Sequence, residues 1–280
     1  MPFLELFDET LDINSTENYE ISIELSLDSL SFCILDTIRN KFILLRSFQP
    51  ENNRCYTCEE ISEIISKDDF LTKKYKKVNI VVPSSKFTLI PSPLFDPGKK
   101  DEYFSFNHTS PESSIILNNK LNDPDSFLVY ALSLPLNNLL KTLWPGVHPF
   151  HHLKPLIDHI SGIRRNSGDN YIHIHVERDF FNLIYYDNNT LKFCNSFNYR
   201  NISDILYYIM NLFKSMNIKQ EETVWLSGQT EQFDDLYSNL AMYIRTVKFT
   251  VPSGNFTFSY VFNETGLQRY INLISVVNCV

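Results

Sequence analysis

The chain has 280 residues, of which 43% are hydrophobic, and a formal net charge of −8 at pH 7. Its length accommodates about two domains of roughly 150 residues each, and its hydrophobic content excludes a wholly disordered protein. The negative charge repels phosphate backbones and therefore argues against a nucleic-acid partner.

The distribution of acidic, apolar and cysteine residues predicts a cytoplasmic protein. The first residues carry acids and lack the basic start and apolar centre of a signal peptide. No apolar run approaches the roughly 18 residues that span a bilayer. The five cysteines are scattered and odd in number, which is typical of a reducing compartment rather than a disulfide framework.

A meander of three strands is predicted near the start of the chain. Apolar and polar residues alternate over 20–26, and this period of two indicates a strand with unlike faces. Two further β-rich runs follow at 30–35 and 41–48, and the residues from Asp36 to Asn40 form the turn between them.

One or two helices and a strand are predicted to complete the first lobe. Thr57 and Glu60 have the spacing of a capping box at the start of a helix. A second helical piece is expected over 69–75, and the apolar run 78–82 predicts a buried strand.

A small α+β insert in the first lobe is predicted from about residue 92 to residue 152. Prolines open it as a loop. Its predicted elements are strands over 115–117 and 127–134 and a helix over 136–143. A helix over 155–163 and a linker over 166–170 are expected to lead into the second lobe.

The residues from Tyr171 to Phe197 repeat the first meander. Sliding the first copy forward so that Ile21 falls on Ile172 also places Asp28 on Asp179 and Lys41 with Phe42 on Lys192 with Phe193. The remaining predicted elements are helices over 204–216, 231–244 and 266–277 and strands over 223–226 and 246–251. The shared order predicts an internal duplication, with lobes at 1–165 and 166–280.

Several short stretches resemble a known family. They are Leu89–Pro91, Leu94–Phe95, His151–Ile157, Asn195–Tyr199, Asp204, Tyr207–Tyr208, Ser227–Gly228, Tyr243–Ile244 and Cys279–Val280. On these residues the chain resembles a Bacteroidetes family of unknown function whose members are described as having an actin-like ATPase fold. More distantly, the duplicated lobes look like PilM of type IV pilus assembly and the cytoplasmic domain of GspL.

The resemblance implies an α/β fold of the actin-like, ribonuclease H-like type. Each of the two lobes would carry a mixed sheet with the element order β-β-β-α-β-α. PilM and GspL serve secretion machines largely as scaffolds, so the resemblance also implies a protein partner. It contains no motif that is specific to a reaction.

The resemblance also locates a candidate nucleotide site. In actin-like ATPases the turn between the first two strands of each lobe holds phosphates through close backbone amides, and an acid holds Mg²⁺ through water. The corresponding turns here are Ser26–Ser29 and Glu177–Phe180, and neither contains glycine. Leu27 and Phe180 place bulk where a phosphate would approach.

The candidate cofactor-binding residues are Ser26, Asp28, Glu177, Asp179, Ser227, Gly228 and Gln229. The last three occupy the place where the ATPases have a glycine pair near the adenosine, and one of the two glycines is replaced. The acids Asp28 and Asp179 are interpreted first as residues that cap their own turns. The alternative is that the same two acids bind Mg²⁺ and, with it, ATP.

Three other groups of residues could take part in redox chemistry or metal binding, but a structural role is favoured for each. Cys55 and Cys58 form a lone C-x-x-C without the second pair that a zinc site needs. His173 and His175 share one face of a strand, a spacing that can hold a metal. The three histidines of the remaining group are His148, His151 and His152. No metal site is predicted.

The sequence therefore predicts a non-catalytic binding or scaffold protein, a degenerate ATPase without the phosphate-loop glycines and without a bound cofactor. The alternative is a nucleotide-binding ATPase of the actin, Hsp70 and sugar-kinase superfamily with divergent loops. A third hypothesis is an assembly partner that is recruited through an exposed strand edge or through the insert.

Overall fold

The computed structural model describes residues 2–51, 54–109, 112–164 and 170–279. The chain divides into two compact units. The first comprises Met1–Asp158, Ser253–Thr265 and Asn272–Val280, and the second comprises His159–Pro252 and Gly266–Ile271. Most of the predicted linker over 166–170 lies outside the described residues.

The elements before the second meander are as follows: β1 Leu4–Phe7, β2 Tyr19–Leu25, β3 Leu30–Asp36, β4 Lys41–Phe48, α1 Cys58–Lys67, β5 Lys77–Val82, β6 Phe87–Pro91, α2 Lys100–Asn107, β7 Ser114–Leu121, β8 Ser126–Ser133, α3 Leu134–Leu143, β9 Phe150–His151 and α4 Leu153–Arg164. The later elements are β10 Tyr171–Val176, β11 Phe180–Asp187, β12 Thr190–Asn198, α5 Ile202–Ser215, β13 Thr223–Gly228, α6 Asp235–Ala241, β14 Thr246–Phe249, β15 Thr257–Phe258 and α7 Ile271–Ser275.

The first unit contains a mixed sheet with the strand order β1-β4-β3-β2-β5-β9, and β15 also pairs with β4. β2, β3 and β4 form the predicted antiparallel meander, and β5 runs parallel to β2. The capping box before α1 is present: the Thr57 side chain accepts from the Glu60 amide, and the Glu60 side chain accepts from the Thr57 amide. These elements agree with the sequence because each depends on local alternation or capping.

The insert is a second, smaller sheet of the first unit with the order β6-β8-β7. Its core is formed by Phe104 of α2 against Ile116, Val129 and Ala131. The insert begins at β6, a few residues earlier than predicted, because Phe87 to Pro91 pairs along β8.

The second unit is built on a sheet with the order β12-β11-β10-β13-β14. β10, β11 and β12 form an antiparallel meander, while β13 and β14 continue the sheet in parallel. Helix α5 buries Ile205, Ile209, Leu212 and Phe213 in the core of this unit. Asn201 caps α5 by accepting from the Asp204 amide.

The two sheets carry the same arrangement, β4-β3-β2-β5 in one and β12-β11-β10-β13 in the other. Ile21 pairs with Ile34, and at the offset proposed from the sequence Ile172 pairs with Tyr185. The register irregularities fall at matching places as well, between Ile34 and Leu35 and between Tyr185 and Tyr186. The structural repeat therefore agrees with the predicted duplication.

The gapless superposition is wrong in the third strand. Ile34 pairs with Leu44, whereas the matching Tyr185 pairs with Phe193, two positions short of the sequence offset. The second copy has the shorter turn, in which Asn188 and Asn189 both take left-handed conformations with φ of 46° and 64°. Lys41 and Phe42 therefore correspond to Thr190 and Leu191, not to Lys192 and Phe193.

Three helix predictions need correction. Residues 69–75 are turn and coil, because the Asp68 side chain accepts from the amides of Phe70 and Leu71. The helix expected over 231–244 is confined to α6, since Asp234 caps it by accepting from the Tyr237 amide. The helix expected over 266–277 consists of α7 between two 3₁₀ turns.

The tail from Ser253 belongs largely to the first unit, which differs from the predicted lobe at 166–280. β15 pairs in parallel with Lys41 and Phe42, and Ser259 donates to the carboxylate of Asp8. Lys41 also contacts Asp8 through its ammonium at 2.7 Å. Burial alone would raise the pKa of Asp8, but its bonds from Lys41, Ser259 and Thr10 hold this pKa well below its usual range. This cluster anchors the tail to the sheet.

We expect Ser259→Ala to destabilise the first unit by about 1–2 kcal/mol, because a buried hydroxyl bond to a charged group is lost. Urea unfolding measures the change. Ser253→Ala is the matched control, since its side chain is exposed and should leave stability within about 0.5 kcal/mol. Equal stability of the two variants would show that the Asp8 cluster does not hold the tail.

Candidate functional site

The turn between β2 and β3 in the first unit is closed by its own hydrogen bonds. The Ser26 amide donates to the Ser29 carbonyl at 3.0 Å, and the Ser29 amide donates to the Ser26 hydroxyl at 3.1 Å. The Ser26 hydroxyl also contacts the carboxylate of Asp28. Two amides of this turn are therefore bonded within the turn, and the Asp28 carboxylate contacts a side-chain hydroxyl of the same turn. The interpretation that Asp28 caps the turn backbone stays a prediction.

The matching turn of the second unit, between β10 and β11, is closed in a similar way. The Glu177 amide donates to the Phe180 carbonyl at 2.8 Å. Tyr199 fastens the turn to the end of β12, because its amide donates to the Asp179 carbonyl and its hydroxyl donates to the Glu177 carbonyl. The side chain of Asp179 is exposed.

The end of β13 lies against this second turn. β10 and β13 are parallel, so their carboxyl ends meet at one edge of the sheet, where Val176 pairs with Gly228. Gly228 has a left-handed φ of 85°, and a Cβ atom added to it would overlap the Val176 carbonyl oxygen. The Gln229 amide then donates to that same carbonyl at 2.7 Å.

A chain of buried polar side chains runs behind this edge. His173 Nε2 and His175 Nδ1 each lie 2.7 Å from the Ser227 hydroxyl. His175 Nε2 lies 3.0 Å from the Glu177 carboxylate, and Thr250 Oγ1 lies 3.3 Å from His173 Nδ1. We call these five residues the polar chain; four are fully buried, and the Glu177 side chain is 14% exposed.

The carboxylate at one end of the polar chain determines the direction of its hydrogen bonds. An ionised carboxylate can only accept, so His175 donates from Nε2 and must accept at Nδ1 from the Ser227 hydroxyl. Ser227 then accepts from His173 Nε2, and His173 Nδ1 accepts from Thr250. Each atom in this order has a compatible partner while both histidines are neutral.

The pKa values of both histidines agree with this neutral arrangement. Burial lowers the pKa of His175 to about 3. Burial lowers the pKa of His173 well below its ordinary value, and His175 and His159 add to the effect. Because Ser227 is fully buried between the two rings, the polar chain orients and fixes the sheet edge and does not expose a nucleophile.

Of the seven candidate residues, the second unit therefore brings Glu177, Ser227, Gly228 and Gln229 together. Asp179 lies on the same turn, and Ser26 and Asp28 share the separate turn of the first unit. The sequence did not reveal that His173 and His175 bond to Ser227. The alternation His173, His175, Glu177 on one face of a strand was a signal for it.

A family model described as "Protein of unknown function (DUF3822)" matches residues 8–247. The chain belongs to this family. No curated protein matches it.

The DUF3822 chain is similar to solved structures over nearly all of its length. A crystal structure from Bacteroides thetaiotaomicron, described as a protein with an actin-like ATPase fold and unknown function, is 22% identical. The structural match covers 97% of the DUF3822 chain and 100% of the Bacteroides chain, with a TM-score of 0.83. The PilM–PilN type IV pilus biogenesis complex is 11% identical, with a TM-score of 0.59. This match covers 92% of the DUF3822 chain and 97% of the matched chain. The predicted actin-like fold is confirmed.

The remaining groups that were weighed from the sequence lie elsewhere in the DUF3822 chain. Cys58 begins α1, where burial and Glu59 raise its thiol pKa, opposite to the shift that activates a redox cysteine. His151 is buried and contacts the Ser84 carbonyl through Nε2 at 2.9 Å. Within the described ranges, no group of three or more His, Cys, Asp or Glu residues could hold a metal ion. No helix in the same ranges is long and apolar enough to cross a membrane.

Proposed function

We propose that this DUF3822 protein is a non-catalytic binding or scaffold protein of actin-like fold that engages a protein partner. The observation that carries the proposal is the hydrogen bonding of the two turns that hold phosphates in actin-like ATPases. The amides of Ser26, Ser29 and Glu177 are bonded inside their turns. A phosphate would have to replace these bonds, whereas glycine-rich phosphate loops present free amides.

The environment of Ser227 supports the same proposal. Its only O–H donor is used toward His175 and the residue is fully buried, so it does not offer a donor to a nucleotide. The structural relative PilM occurs in a complex with PilN, which supports a protein partner for this fold. Fold likeness alone does not select that partner, so the choice rests on surface chemistry.

The second candidate is an ATPase with divergent loops, and Gly228 favours it. The backbone at this position is left-handed and lies against Val176 at the carboxyl edge of two parallel strands, where open α/β sheets bind ligands. The exposed carboxylate of Asp179 lies on the adjoining turn and could hold Mg²⁺ through water.

Melting with and without Mg²⁺–ATP separates the two candidates, since a ligand that binds the native state raises the melting temperature. We expect a shift below about 1 °C at millimolar ATP, because the amides of Ser26, Ser29 and Glu177 are already bonded. A shift of several degrees that disappears in Asp28→Ala or Asp179→Ala would overturn the proposal. Phosphate release that depends on the same two carboxylates would establish the ATPase instead.

A further inference from the structure

The two duplicated sheets differ at one edge. In the first unit the outer edge of β4 is covered by β1, which pairs antiparallel with Leu44–Ser47, and by β15, which pairs with Lys41–Phe42. In the second unit the corresponding strand is β12. It is the last strand of its sheet, and no strand of the described chain pairs with its outer edge. A long uncovered edge is a template for strand addition.

The register identifies which backbone groups of β12 point outward. On β4 the carbonyls of Ile43 and Ser47 accept from the amides of Asp8 and Phe3, so these positions face the covering strand. Since Leu44 corresponds to Phe193, the equivalent outward positions on β12 are Lys192, Cys194 and Ser196. The Ser196 amide is consistent with this assignment, because it bonds to the side chain of its neighbour Asn195 at 2.9 Å.

An aromatic shelf borders this edge on the helix side. Phe193 and Phe197 of β12 are partly buried and stack on each other, and Phe197 stacks on Tyr208 of α5 at 4.1 Å. Tyr207, in contact with Tyr208, is 66% exposed. A strand that is added beside β12 would place every second side chain over this shelf, and apolar side chains there would bury it further.

The charge of the edge indicates which residues would alternate with the apolar ones on an added strand. Lys192 is the only charged residue between Thr190 and Asn198, and it is exposed. The covered edge of the first unit shows how such a cation is matched: Glu5 of β1 lies opposite Arg46 of β4 and forms a salt bridge with it. An acidic residue on the added strand can neutralise Lys192 in the same way.

We propose that the outer edge of β12 binds, as an added antiparallel strand, a partner segment in which apolar residues alternate with acidic ones. Main-chain hydrogen bonds to Cys194 and Ser196 would supply the affinity, and on the Ser196 amide the partner would replace the side chain of Asn195. The aromatic shelf and Lys192 would supply the selectivity. This inference rests on the proposed binding function and specifies its partner.

The chain itself contains a suitable probe. Residues 2–9, which include β1, carry the alternating pattern Leu4, Glu5, Leu6, and β1 already acts as a covering strand in the first unit. On β12 the peptide would take a different register, in which Glu5 lies opposite Lys192 and both leucines lie on the face of the shelf. A fluorescein-labelled peptide of this sequence can be titrated against the whole protein by anisotropy. Hydrogen exchange measured by NMR then locates the bound peptide. We expect the amides of Cys194 and Ser196 to exchange more slowly when the peptide is bound.

Lys192→Glu is expected to lower the affinity for the peptide about three- to fivefold, since a favourable cross-strand charge pair becomes repulsive. Lys219→Glu is the matched control: it makes the same charge change on an exposed residue before β13, away from β12 in the strand order, and should leave binding unchanged. Ser196→Pro removes an outward amide from an edge strand and should weaken binding at least about fivefold. Melting curves confirm that each variant is folded.

Three outcomes would overturn the proposal: no binding up to millimolar peptide, protection on β4 in place of β12, or equal affinity of Lys192→Glu and Lys219→Glu. Self-association of the protein with protection of β12 would also overturn it, because the occupant would then be a second copy. None of these results changes the response to Mg²⁺–ATP, so failure of the strand-addition proposal is distinguishable from failure of the proposed function.

Discussion

Replacing Gly228 by alanine is expected to destabilise the second unit by about 3 kcal/mol or more. The φ of 85° is strained for any residue with a Cβ atom. That atom would also overlap the Val176 carbonyl oxygen and lie 2.8 Å from the Val176 nitrogen. Relief requires β10 and β13 to separate at the edge where the second turn begins. Both the turn and the polar chain should therefore loosen with the unit.

Gly162→Ala is the matched control for this variant. Gly162 lies within α4, and a Cβ atom there meets nothing within 4 Å. Alanine in a helix interior should stabilise by up to about 1 kcal/mol. Urea unfolding followed by the fluorescence of Trp225, in a Trp144→Phe background, reports on the second unit, because the chain has two tryptophans. If both alanine variants unfold at the same urea concentration, the close approach at Gly228 does not exist.

As the pH is lowered, the second unit is expected to begin to lose stability near pH 6.5, above the ordinary pKa values of carboxylates. The pKa of His175 is about 3 in the folded chain and close to 6.5 in the unfolded chain. Below pH 6.5 the unfolded state therefore binds more protons than the folded state, and stability falls as the pH falls toward 3. At about pH 4.5 His175 alone accounts for a loss of about 3 kcal/mol, and the lowered pKa of His173 adds to it.

The measurement is the free energy of unfolding by urea between about pH 7 and pH 4.5, read from Trp225 in the Trp144→Phe background. This local probe is necessary because His151, in the first unit, is also buried with a lowered pKa. His175→Gln serves as the comparison, since glutamine keeps polar bonding capacity without titrating in this range. The unfolding free energy of the His175→Gln variant should depend less steeply on pH than that of the parent protein. Equal slopes in the parent and in His175→Gln would contradict the neutral, buried state of this histidine.

The parts of the fold that the sequence predicted correctly depend on neighbouring residues. The alternation in β2 and β10, the capping box of Thr57 and Glu60, and the order of strands and helix in each copy all follow from contacts a few positions apart. For the same reason the predicted turns at Ser26–Ser29 and Glu177–Phe180 are where the structure has them. The repetition of these local patterns was enough to identify the duplication, whereas the actin-like fold was implied by the resemblance to a known family.

The parts that the sequence missed depend on pairs of residues that are far apart in the chain. Ser227 bonds to His173 across 54 positions, and Ser259 bonds to Asp8 across 251 positions. The two-residue difference in the third strand came from the turn at Asn188 and Asn189, which changes the register without changing the pattern of apolar residues. No periodicity within one segment contains information of this kind.

The sequence by itself determined that this protein has two copies of one α/β lobe and that the turns of both copies lack glycine. Only the tertiary structure decided that the Ser227 hydroxyl is held between two neutral histidines. It also decided that the edge of β4 is covered, whereas no strand among the described residues pairs with the outer edge of β12. The physical reason is the range of the interactions. Strand alternation and helix caps are satisfied within a few residues, whereas a buried hydrogen-bonded chain and a covered sheet edge exist only after distant strands have paired.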